Sequence, residues 1–247
     1  MSLTPLASAA EVLLASGHDP FTRSSLRRPL VRGWLSGRTL AWVGVDPEES
    51  TPYLSALGDP AEVAALIAEL LPELPPGQRM TLPRGTPALL PAWVALEGND
   101  WDFRWLARPP SMQPGEEAVR DLHDDREVTD LLAESNPGAS AQPGDPNVLR
   151  WVGVHERGEL VACAADTSVA TGVGHLSSIA VRPSARGRGL GRIVTAALTR
   201  QRFDDGCDLV TLGMYADNTH GRATYDALGF ADEHRFTSGK LQVRGHW

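Results

Sequence analysis

One segment of this chain, residues 173–203, constrains the fold more than any other part of the sequence. It begins with the run VGHLSSIAV, which predicts a strand with an apolar end at Val181, and Pro183 interrupts further strand pairing. The turn RGRGLG follows, and the apolar spacing after Leu190 predicts a helix that ends near Phe203. A strand, a glycine-rich turn and a helix in this order predict an α/β protein.

The glycine-rich turn carries positive charge in a chain that is acidic as a whole. The formal net charge is −8, yet six arginines and no acidic residue lie between Arg182 and Phe203. Glycines at the start of a helix let an anion approach the backbone, and the unpaired N–H groups and the helix dipole favour negative charge there. We therefore expect a small, highly charged anion such as a pyrophosphate here; the plain alternative is a flexible, arginine-rich loop. A dinucleotide-binding G-x-G-x-x-G turn is not matched, because Arg192 stands where the third glycine is required.

The composition excludes several other classes of protein. Hydrophobic residues make up 42% and charged residues 22% of the chain, which is ordinary for a globular protein. No run reaches the roughly 18 uncharged apolar residues of a membrane span, and the first residues lack the basic region of a signal peptide, so we expect no membrane partner. The negative net charge argues against general binding of nucleic acid.

The two cysteines, Cys163 and Cys207, lie in strand-like apolar surroundings without the spacing of metal ligands. We predict that they are small core residues in a reducing cytoplasm and that the protein binds no metal. Of the 23 lysines and arginines only Lys240 is a lysine, beside 24 glycines and 19 prolines. This bias is typical of a GC-rich genome, which we take to be bacterial, and arginine abundance alone is not evidence of function.

A proline-rich stretch, RPPSMQPGEE over 108–117, is the best candidate for a linker because it contains three prolines and a glycine without hydrophobic periodicity. We therefore predict an N-terminal α/β lobe over 1–110 and a second domain over 117–247. The elements predicted for the first lobe are helices over 5–16, 60–74 and 86–94 and strands over 39–45, 53–57, 78–82 and 100–107. Those predicted for the second are strands over 118–122, 148–154, 160–168, 173–181, 208–215 and 233–243 and helices over 126–135, 190–203 and 221–228.

Two motifs in the second domain together resemble the GNAT superfamily of N-acetyltransferases. The first is an R-x-x-G-x-G core over 186–191, directly after the strand LSSIAV and its turn. The second starts 27 residues later at Asn218 and continues to YDALGF over 225–230, which is similar to the family's N-x-x-A-x-x-x-Y-x-x-L-G-F signature. Gly221 stands where the family usually has alanine, which weakens the start of that helix. Each motif is moderately specific, and their order and spacing make the resemblance strong over roughly 117–243.

The resemblance implies a GNAT fold with a mixed central sheet in the second domain and acetyl-CoA as the acyl donor. The first lobe has a similar order of strands and helices, and we expect a degenerate GNAT-like half as in glycine N-acyltransferase-like proteins. Carried over from the family, backbone groups of the strand end would pair with the pantetheine arm, and N–H groups of the turn would hold the pyrophosphate. The residues that the resemblance assigns to acetyl-CoA are Ile179, Ala180, Val181, Arg186, Gly187, Arg188, Gly189, Leu190, Gly191, Arg192, Asn218 and Tyr225.

Two side chains are candidates for the chemistry itself. The resemblance places the Tyr225 hydroxyl near the thioester sulfur, where a phenol with an ordinary pKa near ~10 can give a proton to the leaving thiolate. The alternative is an aromatic core residue. His175 stands where some family members have a carboxylate base, and an imidazole can accept the ammonium proton of the acceptor. A packed or surface histidine is the alternative, with water relayed through Ser177, or Asp226, as competing bases.

The function expected from these features is direct transfer of acetyl from acetyl-CoA to a primary amine of a small molecule or protein in a ternary complex. No acyl-enzyme is expected, because neither cysteine lies in a motif. A non-catalytic acyl-CoA-binding regulatory module is the first alternative, and a regulator that binds nucleic acid through its arginine segment is the second. We expect a cytoplasmic enzyme without nucleic-acid or membrane partners, and the sequence leaves the acceptor and the oligomeric state open.

Overall fold

A computed structural model describes residues 3–26, 29–45, 52–75, 77–230 and 232–243. The chain divides into two compact units. The first contains Met1–Phe103, Tyr215–Asp217 and His234–Trp247, and the second contains Arg104–Met214 and Asn218–Glu233. Each unit is described by itself.

The described residues form the following strands and helices. The strands are β1 (Thr4–Leu6), β2 (Leu30–Ser36), β3 (Thr39–Val45), β4 (Pro52–Leu57), β5 (Arg79–Pro83), β6 (Val94–Leu106), β7 (Arg120–Leu122), β8 (Arg150–Glu156), β9 (Glu159–Asp166), β10 (Val173–Val181), β11 (Leu209–Tyr215) and β12 (Asp232–Val243). The α-helices are α1 (Ala9–Ala15), α2 (Pro20–Ser25), α3 (Pro60–Leu70), α4 (Asp125–Ser135), α5 (Leu190–Asp204) and α6 (Thr219–Ala227). Short 3₁₀ turns lie at Leu71–Glu73, Thr86–Leu89, Glu116–Ala118 and Pro183–Ala185.

In the first unit the strands follow the order β1-β2-β3-β4-β5-β12-β6. Neighbouring strands from β1 to β4 are antiparallel, β4 and β5 are parallel, and β12 is antiparallel to β5. Helix α3 connects the parallel pair and begins at Pro60, directly after the capping residue Asp59. Its side chains Val63 and Ile67 are fully buried in one core cluster with Leu54 of β4. Burial of this apolar face fixes α3 against the sheet.

In the second unit the strand order is β6-β11-β10-β9-β8-β7. Strands β7 to β10 pair antiparallel, and β10 and β11 are parallel and joined through α5. One face of this sheet packs on α5, with Leu176, Val194 and Leu212 fully buried. The other face packs on α4, with Leu131 and Cys163 fully buried. The mixed α/β architecture predicted from the sequence is confirmed.

Two of the predicted helices are wrong in extent or in kind. The segment 86–94 forms a single 3₁₀ turn and then enters β6, because Pro91 supplies no N–H for a continuing helix. The segment 5–16 begins as strand β1, and α1 starts only after Ser8, whose side chain and Glu11 form a reciprocal capping box. The strand predicted over 100–107 is longer than expected, since β6 already begins at Val94.

The segment predicted as a linker, 108–117, lies in the second unit and is held against α5. The Arg200 guanidinium donates to the carbonyl of Pro110 at 3.0 Å and pairs with Glu116 at 3.2 Å. A β-carbon at Gly115 would lie 3.0 Å from the side chain of Ile193, so the chain passes close to this helix. The predicted domain boundaries at 110 and 117 stay a prediction.

Candidate active site

The N-terminus of α5 is built without a side-chain cap. Gly187 and Gly189 have φ angles of +77° and +80°, which L side chains rarely adopt, so the turn requires glycine at both positions. Gly189 is the N-cap residue, and it has no side chain to accept from the first turn. The N–H groups of Leu190, Gly191 and Arg192 therefore point out of the helix start without an intrahelical acceptor. Such a terminus attracts an anion.

Three arginines of this turn differ in what they contact. Arg186 donates from Nε to the carbonyl of Val181 at 3.2 Å and from Nη2 to the carbonyl of Ser135 at 3.2 Å. Arg188 makes a two-pronged ion pair with Glu156 at 2.8 and 2.6 Å, and this contact lowers the pKa of Glu156. The Arg192 side chain is exposed, and its Nη2 lies 3.8 Å from the position of a β-carbon on Gly189. The charge of Arg188 is thus offset by a carboxylate, whereas Arg192 lies next to the helix start.

The parallel pair of β10 and β11 is short. Its register runs only from Val173 opposite Leu209 to Leu176 opposite Leu212. The last three residues of β10, 179–181, lie beyond this pairing, although Ala180 and Val181 still pair with β9 on the other side. The second side of this strand end is therefore an edge that can pair with an extended, amide-containing ligand.

A β-bulge accompanies the end of the pairing. The register between β9 and β10 shifts between Ser177 and Ala180, and Ser178 has a positive φ of +48°. The buried Ser178 hydroxyl accepts from the N–H of Ala141 at 2.8 Å and donates to the carbonyl of the same residue at 2.9 Å. The loop between α4 and β8 is thereby anchored at the bulge. This anchoring offsets the strain of the left-handed backbone at Ser178.

Tyr225 is nearly buried on α6. Its exposed fraction is 7%, and it packs in the core cluster of α5 with Leu228 and Phe230, whose ring lies edge-on to it at 6.2 Å. Burial raises the pKa of Tyr225 to about 12, and the nearby Arg104 guanidinium opposes that rise. The phenol therefore keeps its proton at neutral and moderately alkaline pH.

Arg104 is a buried charge that the sequence analysis did not single out. It is 2% exposed at the end of β6, and its Nη2 pairs with Asp226, the residue after Tyr225. Glu233 lies 3.7 Å from its Nε and also pairs with Arg222 at 2.7 Å. Asp226, a predicted alternative base, is thus engaged in an ion pair with Arg104. The available signal was a lone arginine within the otherwise apolar segment FRWL over 103–106.

Asn218 caps α6, and the unusual glycine three residues later fits that role. Its Oδ1 accepts from the N–H of Gly221 at 2.8 Å. A β-carbon at Gly221 would lie 2.6 Å from Nδ2 of Asn218, so alanine there would displace this side chain. Glycine at 221 therefore leaves room for the capping orientation of the Asn218 side chain, and α6 begins at Thr219 directly after this cap.

His175 lies in the paired part of β10 and faces away from Tyr225. Its Nδ1 lies 2.8 Å from Oγ1 of Thr211, and its backbone N–H donates to Oγ of Ser168 at 2.8 Å. The next residue, Leu176, belongs to the same core cluster as Tyr225. Successive strand residues point to opposite faces, so His175 is on the other face of the sheet. The structure does not bring the two predicted catalytic side chains to one face.

Within the described ranges, no three His, Cys, Asp or Glu side chains come together as metal ligands. No helix in these ranges is long and apolar enough to span a membrane.

The model of the acetyltransferase (GNAT) family matches residues 104–230, which is more than half of the chain. The chain belongs to the GNAT family of acetyltransferases. Among curated relatives, the mycothiol acetyltransferase of Tsukamurella paurometabola is 28% identical over 142 residues, which are 57% of this chain and 44% of the relative. The mycothiol acetyltransferase of Rhodococcus opacus is 40% identical over 62 residues, 25% of this chain and 20% of the relative. The matched regions thus span less than half the length of these relatives.

Solved structures show the same fold along nearly the whole chain. The GCN5-related N-acetyltransferase from Sphaerobacter thermophilus has a TM-score of 0.56 and 14% identity, and the match covers 99% of this chain and 97% of that chain. The GNAT acetyltransferase from Colwellia psychrerythraea has a TM-score of 0.54 and 15% identity, with 98% and 100% covered. At these identities the likeness concerns the fold alone.

Family membership confirms the resemblance to the GNAT family and, at the level of the family, the acetyltransferase class expected from the motifs. The roles of the individual residues stay predictions, as does a degenerate GNAT-like origin of the first unit. Arg104, Thr211 and Ser178 are further residues of this region that spacing alone did not reveal, because their contacts form between segments distant in sequence.

Proposed function

We propose that the second unit binds acetyl-CoA at the end of β10 and transfers its acetyl group directly to a primary amine of a small molecule or protein. The observation that carries this proposal is the uncapped N-terminus of α5 directly after a strand end whose second side is unpaired. A diphosphate requires free N–H donors, and an amide-containing arm requires a strand edge. Acetyl-CoA has both groups.

The donor would be held mainly by backbone groups. N–H groups from Gly187 to Arg192 bind the diphosphate, and the backbone of 179–181 pairs with the pantetheine arm as an added strand would. Arg192 adds positive charge at the helix start. Arg188 adds charge only when it leaves Glu156, and Arg186 supports the turn through its bonds to backbone carbonyls.

Acetyl-CoA supplies an acyl group activated as a thioester. His175 accepts the proton of the acceptor ammonium, so that the free amine forms the new C–N bond while the C–S bond breaks. The Tyr225 hydroxyl gives its proton to the departing sulfur, and the new amide nitrogen releases its excess proton to solvent. Tyr225 regains a proton from solvent and His175 releases one to it, so one proton is released in total for each acetyl group transferred. Because the two side chains face opposite sides of the sheet, we infer that the reacting carbonyl lies in the opening between β10 and β11 and that the acceptor enters from the side of His175.

Direct transfer is supported by the state of the cysteines. Cys163 is fully buried, and burial raises the pKa of its thiol to about 12. Burial also raises the pKa of the Cys207 thiol. A thiol that stays protonated is a poor nucleophile, so neither residue suits an acyl-enzyme route.

Thiol release from acetyl-CoA tests the proposal when it is measured beside CoA binding. The assay uses a panel of primary amines that differ in size and charge. We expect CoA binding and amine-dependent thiol release. Binding without release for any amine supports the regulatory module instead. Binding of duplex DNA with steep salt dependence and without CoA binding would support the nucleic-acid regulator.

A further inference from the structure

Thr211 lies directly opposite His175 in the parallel pair of β10 and β11 and is fully buried. Its Oγ1 lies 3.0 Å from the carbonyl oxygen of Gly174 and 2.8 Å from Nδ1 of His175. One hydroxyl thus contacts both the backbone and the imidazole of neighbouring residues on β10. It thereby links the two parallel strands one residue before their pairing ends at Leu176 and Leu212.

The direction of both hydrogen bonds follows from the chemistry of the groups. A carbonyl oxygen only accepts, so the Thr211 hydroxyl must use its single hydrogen on Gly174. Its oxygen can then only accept from the imidazole, which requires a hydrogen on Nδ1 of His175. In the neutral imidazole the other nitrogen, Nε2, then has the lone pair.

The backbone of His175 is fixed as well. Its N–H donates to Oγ of Ser168 at 2.8 Å, and its carbonyl accepts from the N–H of Thr167 at 2.8 Å. Because both backbone groups and Nδ1 have partners, the position of the ring is set by protein contacts before any substrate binds. A preorganised base needs no reorientation during the reaction.

We propose that Thr211 is a positioning residue for His175: it accepts the Nδ1 hydrogen and so keeps the imidazole in the tautomer whose Nε2 takes the proton of the acceptor amine. The tautomer itself follows from the hydrogen bonds of this chain, and its use in catalysis rests on the proposed function. Thr211 acts only through His175 and does not touch the substrate.

The tautomer is measured by ¹⁵N NMR of the histidine side chains in the whole chain, above the pH at which imidazoles become protonated. The protein contains 7 histidines, and the His175→Ala variant identifies the signal of His175. We expect the wild type to show protonated Nδ1 and unprotonated Nε2. A wild-type signal with the hydrogen on Nε2 overturns the proposal, whether or not any variant folds.

Thr211→Val and Thr211→Ser form a matched pair, because valine keeps the shape and loses the hydroxyl while serine keeps the hydroxyl. We expect loss of the Nδ1-protonated signal in Thr211→Val and its retention in Thr211→Ser. The kcat should fall on the order of tenfold in Thr211→Val, with KM for acetyl-CoA unchanged, and recover in Thr211→Ser. An unchanged tautomer in folded Thr211→Val overturns the proposal.

The NMR result and the activity result separate two kinds of failure. If the tautomer responds as expected but His175→Ala has wild-type turnover, the base assigned under the proposed function is wrong and the catalytic part of the inference fails with it. If His175→Ala is inactive but the tautomer does not respond to Thr211→Val, the positioning role alone is wrong.

Discussion

Both units contain a strand, a helix and a parallel strand, but the two helices begin differently. In the first unit, the carboxylate of Asp59 accepts from the N–H groups of Ala61 and Glu62 at 2.9 and 3.4 Å, and Pro60 has no N–H to offer. In the second unit, Gly189 leaves the first N–H groups of α5 without a side-chain partner. The same element is therefore closed to anions in β4–α3–β5 and open to them in β10–α5–β11.

The strands that precede the two helices, β4 and β10, differ in the regularity of their pairing. Strand β4 pairs with β3 in continuous register from Leu57 to Pro52. Strand β10 has a register shift and the left-handed residue Ser178 before its end. The sheet of the first unit is thus regular before its helix, whereas the strand pairing of the second unit ends early and leaves an edge. The order of strands and helices is the same in both units, so this order alone does not create a ligand site. The cap residue of the helix and the bulge in the strand make the difference.

The largest expected effect is a loss of kcat on removal of a tyrosine hydroxyl in the second unit but not in the first. Tyr225→Phe keeps the ring and removes the proton donor, so kcat should fall by roughly 10²-fold with acetyl-CoA binding nearly intact. Tyr53→Phe is the control in the first unit, where the hydroxyl lies 2.9 Å from Oγ1 of Thr81. Steady-state kinetics of both variants decide the question, and wild-type turnover of Tyr225→Phe would make this residue a packing residue.

The histidines allow a comparison of the same kind. His175→Ala should lose up to about 10²-fold in kcat/KM and also the limb of the pH profile that rises as the catalytic base loses its proton. His234→Ala in the first unit, where the imidazole contacts Asp19 at 2.8 Å, should keep that limb. An acceptor with a lower amine pKa provides the second control, because a limb that moves with the acceptor reports its own deprotonation. Persistence of the limb in His175→Ala excludes this residue as the base.

A smaller effect concerns stability at alkaline pH. Burial raises the pKa of Tyr225 to about 12, so the neutral phenol stabilises the folded state fully below the unfolded pKa near ~10. This contribution is lost as the pH rises from that value through the folded pKa. The Tm of the wild type should therefore fall more steeply over this window than that of Tyr225→Phe. If Tm falls equally steeply with pH in the wild type and in Tyr225→Phe, the raised pKa of Tyr225 is not the origin of the alkaline loss of stability.

The smallest expected effect is a change in stability on removal of the side-chain cap at the N-terminus of α3. Asp59→Ala removes a cap, and we expect a loss of about 1 kcal/mol in unfolding free energy without any gain of CoA binding. Pro60 and Glu62 still make this terminus unsuited to an anion. Titration calorimetry should give one CoA per chain for both the wild type and this variant. A second bound CoA in either protein would refute the assigned difference between the units.

The second unit was easier to predict from the sequence than the first. The apolar end of β10 at Val181, Pro183 and the glycines at 187 and 189 mark the strand end and the turn, so local signals there agree with the fold. Strand β2 was missed because Gly33 interrupts its pattern; a β-carbon there would lie 3.0 Å from Val12, a contact that only the folded chain reveals. The same limit applies to the site: the family motifs mark the backbone turn, whereas the pairs Arg104–Asp226 and Thr211–His175 depend on strand neighbours that no local spacing encodes.

The most direct test of the central claim places one glutamate at either end of α5. Gly189 and Gly206 both have a positive φ, and a β-carbon at Gly206 meets nothing within 4 Å, so Gly206→Glu matches the backbone strain and charge of Gly189→Glu away from the helix start. In calorimetric titration with CoA, Gly189→Glu should lose well over tenfold in affinity, about 1.4 kcal/mol or more, and Gly206→Glu should bind like the wild type. Equal affinity of the two folded variants for CoA would contradict a diphosphate site at the N-terminus of α5.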